Sequence, residues 1–287
     1  MKNFSARLEK CSVCPRNCNV NRLKNELCFC KIGKNPKISA YNLHFGEEPP
    51  ISGISGSGTI FFTGCNLRCV FCQNYPISQL YHGNEVTIEK LAEIMMQLQS
   101  QNAHNINLVT PTHVLPQIIE AILLAKNKGL KIPIVYNSGG YEKVETLKLL
   151  EGFIDIYMPD AKYSDDKMAE KYSDAKNYWE INKKALKEMH KQVGNLQIRN
   201  GVAVKGLLIR HLVLPQNIAG SQKIFEFIAK EISPETYISI MAQYHPANRT
   251  DEFPELQRKI TDEEYSQVLN WADELGLTNG WRQDLCS

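Results

Sequence analysis

No stretch of this 287-residue chain stays apolar long enough to span a bilayer, so no membrane partner is expected. Charge of one sign is equally scarce. Lys and Arg total 33 against 31 Asp and Glu, a formal net charge of +2, and the lysines are dispersed along helical stretches, which leaves no footprint for nucleic acid. Internal repeats, low-complexity tracts and an N-terminal targeting segment are absent as well. So are the G-x-S-x-G, Walker and Rossmann fingerprints. The run Gly53–Gly58 has neither a preceding strand nor a terminal Lys, and reads as a linker. These absences argue against nucleophile-elbow hydrolases, P-loop enzymes and dinucleotide dehydrogenases, and leave the expectation of a soluble, cytoplasmic globular protein.

Cysteine, by contrast, is plentiful. The nine thiols sit in a chain of ordinary globular composition, 43% hydrophobic and 22% charged, with length enough to build a core without staples. Metal ligation is then a better reading than a disulfide framework. Three of them, Cys65, Cys69 and Cys72, follow the strand-like Gly58–Phe62 on one short run. Thiolates hold iron–sulfur clusters, normally four to a cluster, so a trio points to a 4Fe-4S cluster with one iron left open for substrate or cofactor. The alternative is a structural zinc site, which needs a fourth ligand that this run does not supply. An exposed cluster favours a low-oxygen, anaerobic setting.

Cys11, Cys14 and Cys18, followed by Cys28 and Cys30, form a second group in a segment too short to bury a core of its own. Residues 1–55 read as a cysteine-rich, metal-binding N-terminal module. Zinc, an auxiliary iron–sulfur cluster and a redox-active dithiol all suit it, and Cys286 reads as a free thiol.

From residue 56 to 287 short apolar runs alternate with longer amphipathic ones, the pattern of parallel strands joined by crossover helices. Strands are expected at Thr59–Phe62, Asn105–Val109, Ile132–Tyr136, Ile154–Met158, Gly206–Leu212 and Tyr237–Ala242. Helices are expected after Thr87 and over Val114–Lys128, Tyr141–Leu150, Tyr178–Val193, Ser221–Glu231 and Asp262–Leu275. The fold class is α/β, a partial (β/α)6 barrel with its active site at the C-terminal strand ends. The cysteine trio falls at one such end. Others carry Thr110-Pro111-Thr112-His113, Asn137-Ser138-Gly139-Gly140, Asp160-Ala161-Lys162, Arg210-His211 and Gln243-Tyr244-His245, polar enough together to line a pocket.

The spacing of Cys65, Cys69 and Cys72, with Phe71 before the last, resembles the signature of the radical S-adenosylmethionine (SAM) superfamily. Cys11–Cys18, Gly46–Gly53, Gly56–Ser78, His104–His113 and Asp155–Lys162 extend the resemblance to its pyruvate formate-lyase activating enzyme-like members. The resemblance implies a 4Fe-4S cluster whose open iron binds SAM and cleaves it reductively, giving methionine and a 5′-deoxyadenosyl radical that abstracts hydrogen. It implies Cys65, Cys69 and Cys72 as ligands, Phe71 as a backbone contact to adenine, and Asp160–Lys162 as the D-x-K of glycyl-radical activases. A SAM site needs polar partners: Asn137 and Ser138 suit its carboxylate or ribose, Asp160 its amino group or ribose, and Lys162 or Arg210 a carboxylate. Gly139-Gly140 would let backbone approach the ligand.

One departure stands out: those relatives carry a Gly-Gly-Glu-like stretch where this chain has Val109-Thr110-Pro111-Thr112-His113, so Thr110 or Thr112 is expected to receive the SAM amino group. In the second cysteine group Cys30 aligns better than Cys28 with the family's fourth cysteine, giving Cys11, Cys14, Cys18 and Cys30 as its ligands. The implied partners are a low-potential donor such as flavodoxin or ferredoxin and a glycyl-radical protein substrate. A small-molecule or peptide substrate, and a non-catalytic metal-binding interaction module, are the alternatives.

Overall fold

The computed structural model describes residues 4–285; Cys286 lies outside them. Ten strands form its sheet: β1 Lys37–His44, β2 Ser57–Phe62, β3 Asn84–Glu85, β4 Ile106–Val109, β5 Ile134–Ser138, β6 Ile156–Pro159, β7 Gln197–Arg199, β8 Val202–Leu212, β9 Tyr237–Met241 and β10 Gly280–Arg282. The six expected strands are β2, β4, β5, β6, β8 and β9, paired parallel in that order. Every residue of β5, β6 and β9 is buried, which is why they read as unbroken apolar runs instead of alternating ones. The result is an α/β partial barrel.

Nine α-helices accompany the strands among the described residues: α1 Pro49–Ser52, α2 Tyr75–Ser78, α3 Ile88–Ser100, α4 Leu115–Asn127, α5 Val144–Leu147, α6 Asp166–Ser173, α7 Tyr178–Val193, α8 Ser221–Phe227 and α9 Asp262–Glu274. Their boundaries follow local chemistry. The Thr87 hydroxyl accepts from the Lys90 amide at 3.1 Å to open α3, whose Leu91, Ile94, Met95 and Leu98 are buried. Leu91 is fully buried, so Leu91→Ala would cost about 2–5 kcal/mol. Thr261 and Glu264 cap each other's backbone at the start of α9. The helix expected over Tyr141–Leu150 shrinks to α5, because Tyr141 and Glu142 are drawn into the core as part of the turn that precedes it. Among the described residues no helix is long and apolar enough to cross a membrane.

Two departures matter for the site. The sheet begins inside the first 55 residues, since β1 pairs antiparallel with β2, and Leu8, Val13 and Ile32 join the main core. The stretch read as a linker is the end of an inward loop. Its Ile51 is fully buried against Val135, Ile156, Met158, Ala203, Leu208 and Tyr237, a second apolar cluster drawn largely from β5, β6, β8 and β9. Residues 45–56 therefore plug one end of the barrel.

Candidate active site

The cysteine loop runs from the C-terminal end of β2 to α2 and is held from outside. Arg68 and Val70 donate their amides to the carbonyls of Ser173 and Tyr172 at 2.9 Å, and the Asn66 amide side chain donates to the Tyr141 carbonyl at 2.7 Å. Gly64 opens the loop at φ 81°, where a Cβ would meet the Cys30 carbonyl oxygen at 2.5 Å. Cys65, Cys69 and Cys72 are half-buried. Each sulfur has a polar neighbour: the Leu67 amide donates to Cys65 Sγ at 3.3 Å, the Ser173 hydroxyl donates to Cys69 Sγ at 3.0 Å, and Ser78 Oγ lies 3.2 Å from Cys72 Sγ.

Burial, with the neighbouring Cys69 and Cys72 adding to it, pushes the Cys65 thiol up to about 12, and burial likewise raises Cys69. A metal cluster would take the place of those protons and stabilise the thiolates, with the surrounding donors tuning its potential. The donor set thus fits a cluster held by Cys65, Cys69 and Cys72. Among the described residues, no three His, Cys, Asp or Glu side chains converge on a single ion.

Cys69, Cys72 and Phe71 face a cavity of about 200 Å³ whose opposite wall is Asp160, Lys162 and Arg210. Asp160 follows β6 and Arg210 lies in β8, so parallel pairing brings them side by side. Arg210 Nε and Nη2 each lie 2.9 Å from Asp160 Oδ1, and Lys162 Nζ is 2.6 Å from Oδ2. Burial alone would push the Asp160 carboxyl up, but the Arg210 and Lys162 cations outweigh it and hold the carboxyl below its ordinary value. The expected contacts Phe71, Asp160, Lys162 and Arg210 are therefore assembled on one cavity.

A second compartment of about 330 Å³ shares Arg210, Met241 and Gln243 with the first, and adds Asn137, Glu47, Glu48 and Trp281. Asn137 is thus placed at the cavity as expected. Glu47 accepts from the Asn107 side chain at 2.9 Å and faces Arg210 at 3.7 Å; burial, countered in part by Arg210, pushes its carboxyl up to about 7. Sequence reasoning gave Glu47, Glu48 and Ser173 no role. The doubled acid ahead of Pro49-Pro50 was the available signal.

Several expected site residues serve the core instead. The Thr112 hydroxyl, 1% exposed, donates to Glu142 Oε1 at 2.6 Å, and Ser138 also bonds Glu142. Neither presents its side chain to the two compartments. His113 bonds the Thr63 carbonyl at 2.8 Å and His211 bonds Ala161 and Ser221; burial lowers them to about 3 and about 4. Gly139 and Gly140 make room for the protein itself: a Cβ on Gly139 would meet Leu67 at 2.7 Å, and one on Gly140 would meet the Asp160 carbonyl at 2.1 Å. Thr110 follows β4 and, like Thr112 and Ser138, is not on the lining of the two compartments. It is a β-branched residue at φ 59°.

The second cysteine group is brought together. Cys11, Cys14, Cys18 and Cys30 line one cleft with Arg22 and Phe29, and Cys28 hydrogen-bonds Cys18. Burial pushes Cys18 up to about 11 and raises Cys14 and Cys30. Arg22 is fully buried and clamps the segment, donating to the Gly33 and His113 carbonyls and lying 3.8 Å from Cys11 Sγ.

Comparison with known proteins agrees with this geometry. An uncharacterized protein of Methanocaldococcus jannaschii is 34% identical over 282 residues, covering 94% of this chain and 76% of that protein. A radical SAM methyltransferase from Sphaerobacter thermophilus superposes at a TM-score of 0.55 with 10% identity, over 79% of this chain and 66% of the other. SuiB of Streptococcus suis bound to S-adenosylmethionine superposes at 0.52 with 12% identity, over 77% and 48%. This chain spans less than two thirds of either solved structure. The family described as the Radical SAM superfamily matches residues 59–213, from β2 through the end of β8. The protein belongs to the radical SAM superfamily.

Proposed function

We propose that this protein is a radical SAM enzyme that uses a 4Fe-4S cluster on Cys65, Cys69 and Cys72 to initiate hydrogen abstraction from a substrate. The observation that carries the reading is the cavity bounded by Cys69 and Cys72 on one side and by Asp160, Lys162 and Arg210 on the other. A cluster held by Cys65, Cys69 and Cys72 would supply the electron, drawn from a low-potential donor such as flavodoxin or ferredoxin, for splitting SAM into methionine and a 5′-deoxyadenosyl radical. The protein's own residues position the reactants. Asp160, fixed between two cations, accepts from ribose or amino N–H groups; Lys162 and Asn137 pair with a carboxylate or hydroxyl; Phe71 supports adenine.

Likeness to glycyl-radical activating enzymes supports a protein glycine as the hydrogen donor. A small molecule or single side chain has a separate support: residues His44, Glu47 and Glu48 wall the inner compartment, whose volume suits a small ligand. The second cysteine group, Cys11, Cys14, Cys18 and Cys30 with Cys28 adjacent, holds a further metal group, zinc or iron–sulfur, in an N-terminal segment packed on the main core.

The test is anaerobic reconstitution and reduction in the presence of SAM, following 5′-deoxyadenosine and the change that SAM makes in the cluster's electron paramagnetic resonance (EPR). Cys69→Ala abolishes both signals; if it leaves them intact, the assignment fails. Iron and zinc per chain, wild type against Cys14→Ala, identify the second group by what is lost.

A further inference from the structure

The loop that plugs the barrel carries Glu47 and Glu48 to the inner compartment immediately before α1. The charged groups around them do not balance. Lys162 is committed to Asp160, and Arg210, bonded to Asp160 and paired with Glu47, also feels the charge of Glu48. Three carboxyl groups thus share two cations, and among the described residues Glu48 is the one of the three without an ion pair. It is 3% exposed, it lines the compartment, and its Oε2 has no hydrogen-bond partner. Behind Glu47, Asn107 donates through Nδ2 to that carboxyl and is not part of the compartment's lining. A buried carboxyl oxygen with nothing to bond is costly, and a cavity lined by such an acceptor is complementary to a ligand that brings donors and positive charge.

Building on the radical SAM reading, we infer that Glu48, with Glu47 alongside, is the docking point for a protonated aliphatic amine carried by the substrate. Trp281 on the same wall supplies apolar and π surface for the methylenes next to such a head group. The two compartments adjoin through Asn74, Arg210, Met241 and Gln243, so SAM is the competing occupant of this position, and competition with SAM is part of the test.

The probe is n-butylammonium, compared with n-butanol of the same length and no charge, titrated calorimetrically and by ligand-observed nuclear magnetic resonance into the reconstituted full-length protein. The expected result is binding of the ammonium at least about tenfold tighter than the alcohol, with Glu48→Gln losing that preference. Saturating SAM leaves the ammonium bound, and saturating ammonium leaves the SAM-induced EPR change of the wild type in place. Equal binding of the alcohol, full retention of binding in Glu48→Gln, or one-for-one displacement by SAM overturns the proposal. If Glu48→Gln does not fold, the wild-type comparison of ammonium with alcohol and the SAM competition still decide it. Absence of 5′-deoxyadenosine from the wild type would overturn the radical reading while leaving the amine measurement to stand or fall alone.

Discussion

Arg210 and Asp160 meet across two parallel strands, with Nε and Nη2 of the guanidinium both directed at one carboxylate oxygen, Oδ1, at 2.9 Å. The other oxygen is left to Lys162. Because all three side chains are largely buried, removing the anion takes the partner from Lys162 and leaves Arg210 only the more distant Glu47. Asp160→Ala is expected to destabilise the fold by about 3–5 kcal/mol, and Lys162→Met, which leaves Asp160 with Arg210, by distinctly less. Denaturant unfolding of the two variants measures the difference, and equal losses would contradict it.

Glu142 makes stability depend on pH. Burial pushes its carboxyl up to about 8, although Thr112, Ser138 and Tyr136 all hydrogen-bond to it. A carboxyl whose folded value lies above the ordinary 4.5 costs nothing below pH 4.5. As pH rises toward 8 the unfolded chain ionises it and the native chain resists, so stability is lost across that window, up to about 5 kcal/mol. Glu142→Gln is expected to flatten the decline and to be more stable than wild type at pH 8. Thermal unfolding at pH 5 and pH 8 measures it.

Thr110 holds a left-handed backbone that glycine adopts without strain. Thr110→Gly is expected to stabilise the fold by about 1 kcal/mol, a rise of about 2–4 °C in melting temperature. A fall in melting temperature would mean that contacts of the threonine side chain outweigh its backbone strain.

Ser173 offers a test on the cluster itself. Its hydroxyl donates to Cys69 Sγ, and Tyr163 lies 2.8 Å behind it. Hydrogen bonds to ligand sulfur favour the reduced, more negative cluster, so Ser173→Ala is expected to move the midpoint potential to a more negative value. An EPR-monitored redox titration reads the shift, and an unchanged potential would show that the hydroxyl does not reach the bound sulfur.

The parallel core was legible because strands buried on both faces leave continuous apolar runs, as in Ile134–Ser138 and Tyr237–Met241, each followed by polar residues. The cysteine trio was legible for a different reason: ligand chemistry needs those residue types close together in sequence. Edge strands left weaker traces. Lys37–His44 is mostly exposed and mixes Ser, Asn and Lys with its few apolar residues, and Gly280–Arg282 is three residues long. In the site, sequence identified which strand ends are polar but not which way each side chain turns. Thr112 and Ser138 belong to Glu142, and although Ser138 is close to it in the chain, only tertiary packing brings in Thr112. Glu48 was hidden by distance along the chain, since nothing local says that a loop between two antiparallel strands folds back into a barrel.

Phe29 joins the two cysteine-bearing segments. Its ring lies between the guanidinium groups of Arg16, 3.6 Å from its centroid, and Arg68, 4.2 Å away, and its carbonyl accepts from Arg68, which also donates to the Cys65 carbonyl at 3.1 Å. The turn at residues 28–31 and the loop at residues 65–72 are consequently riveted into one mechanical piece. A displacement of the first is handed on to the second through Phe29 and Arg68.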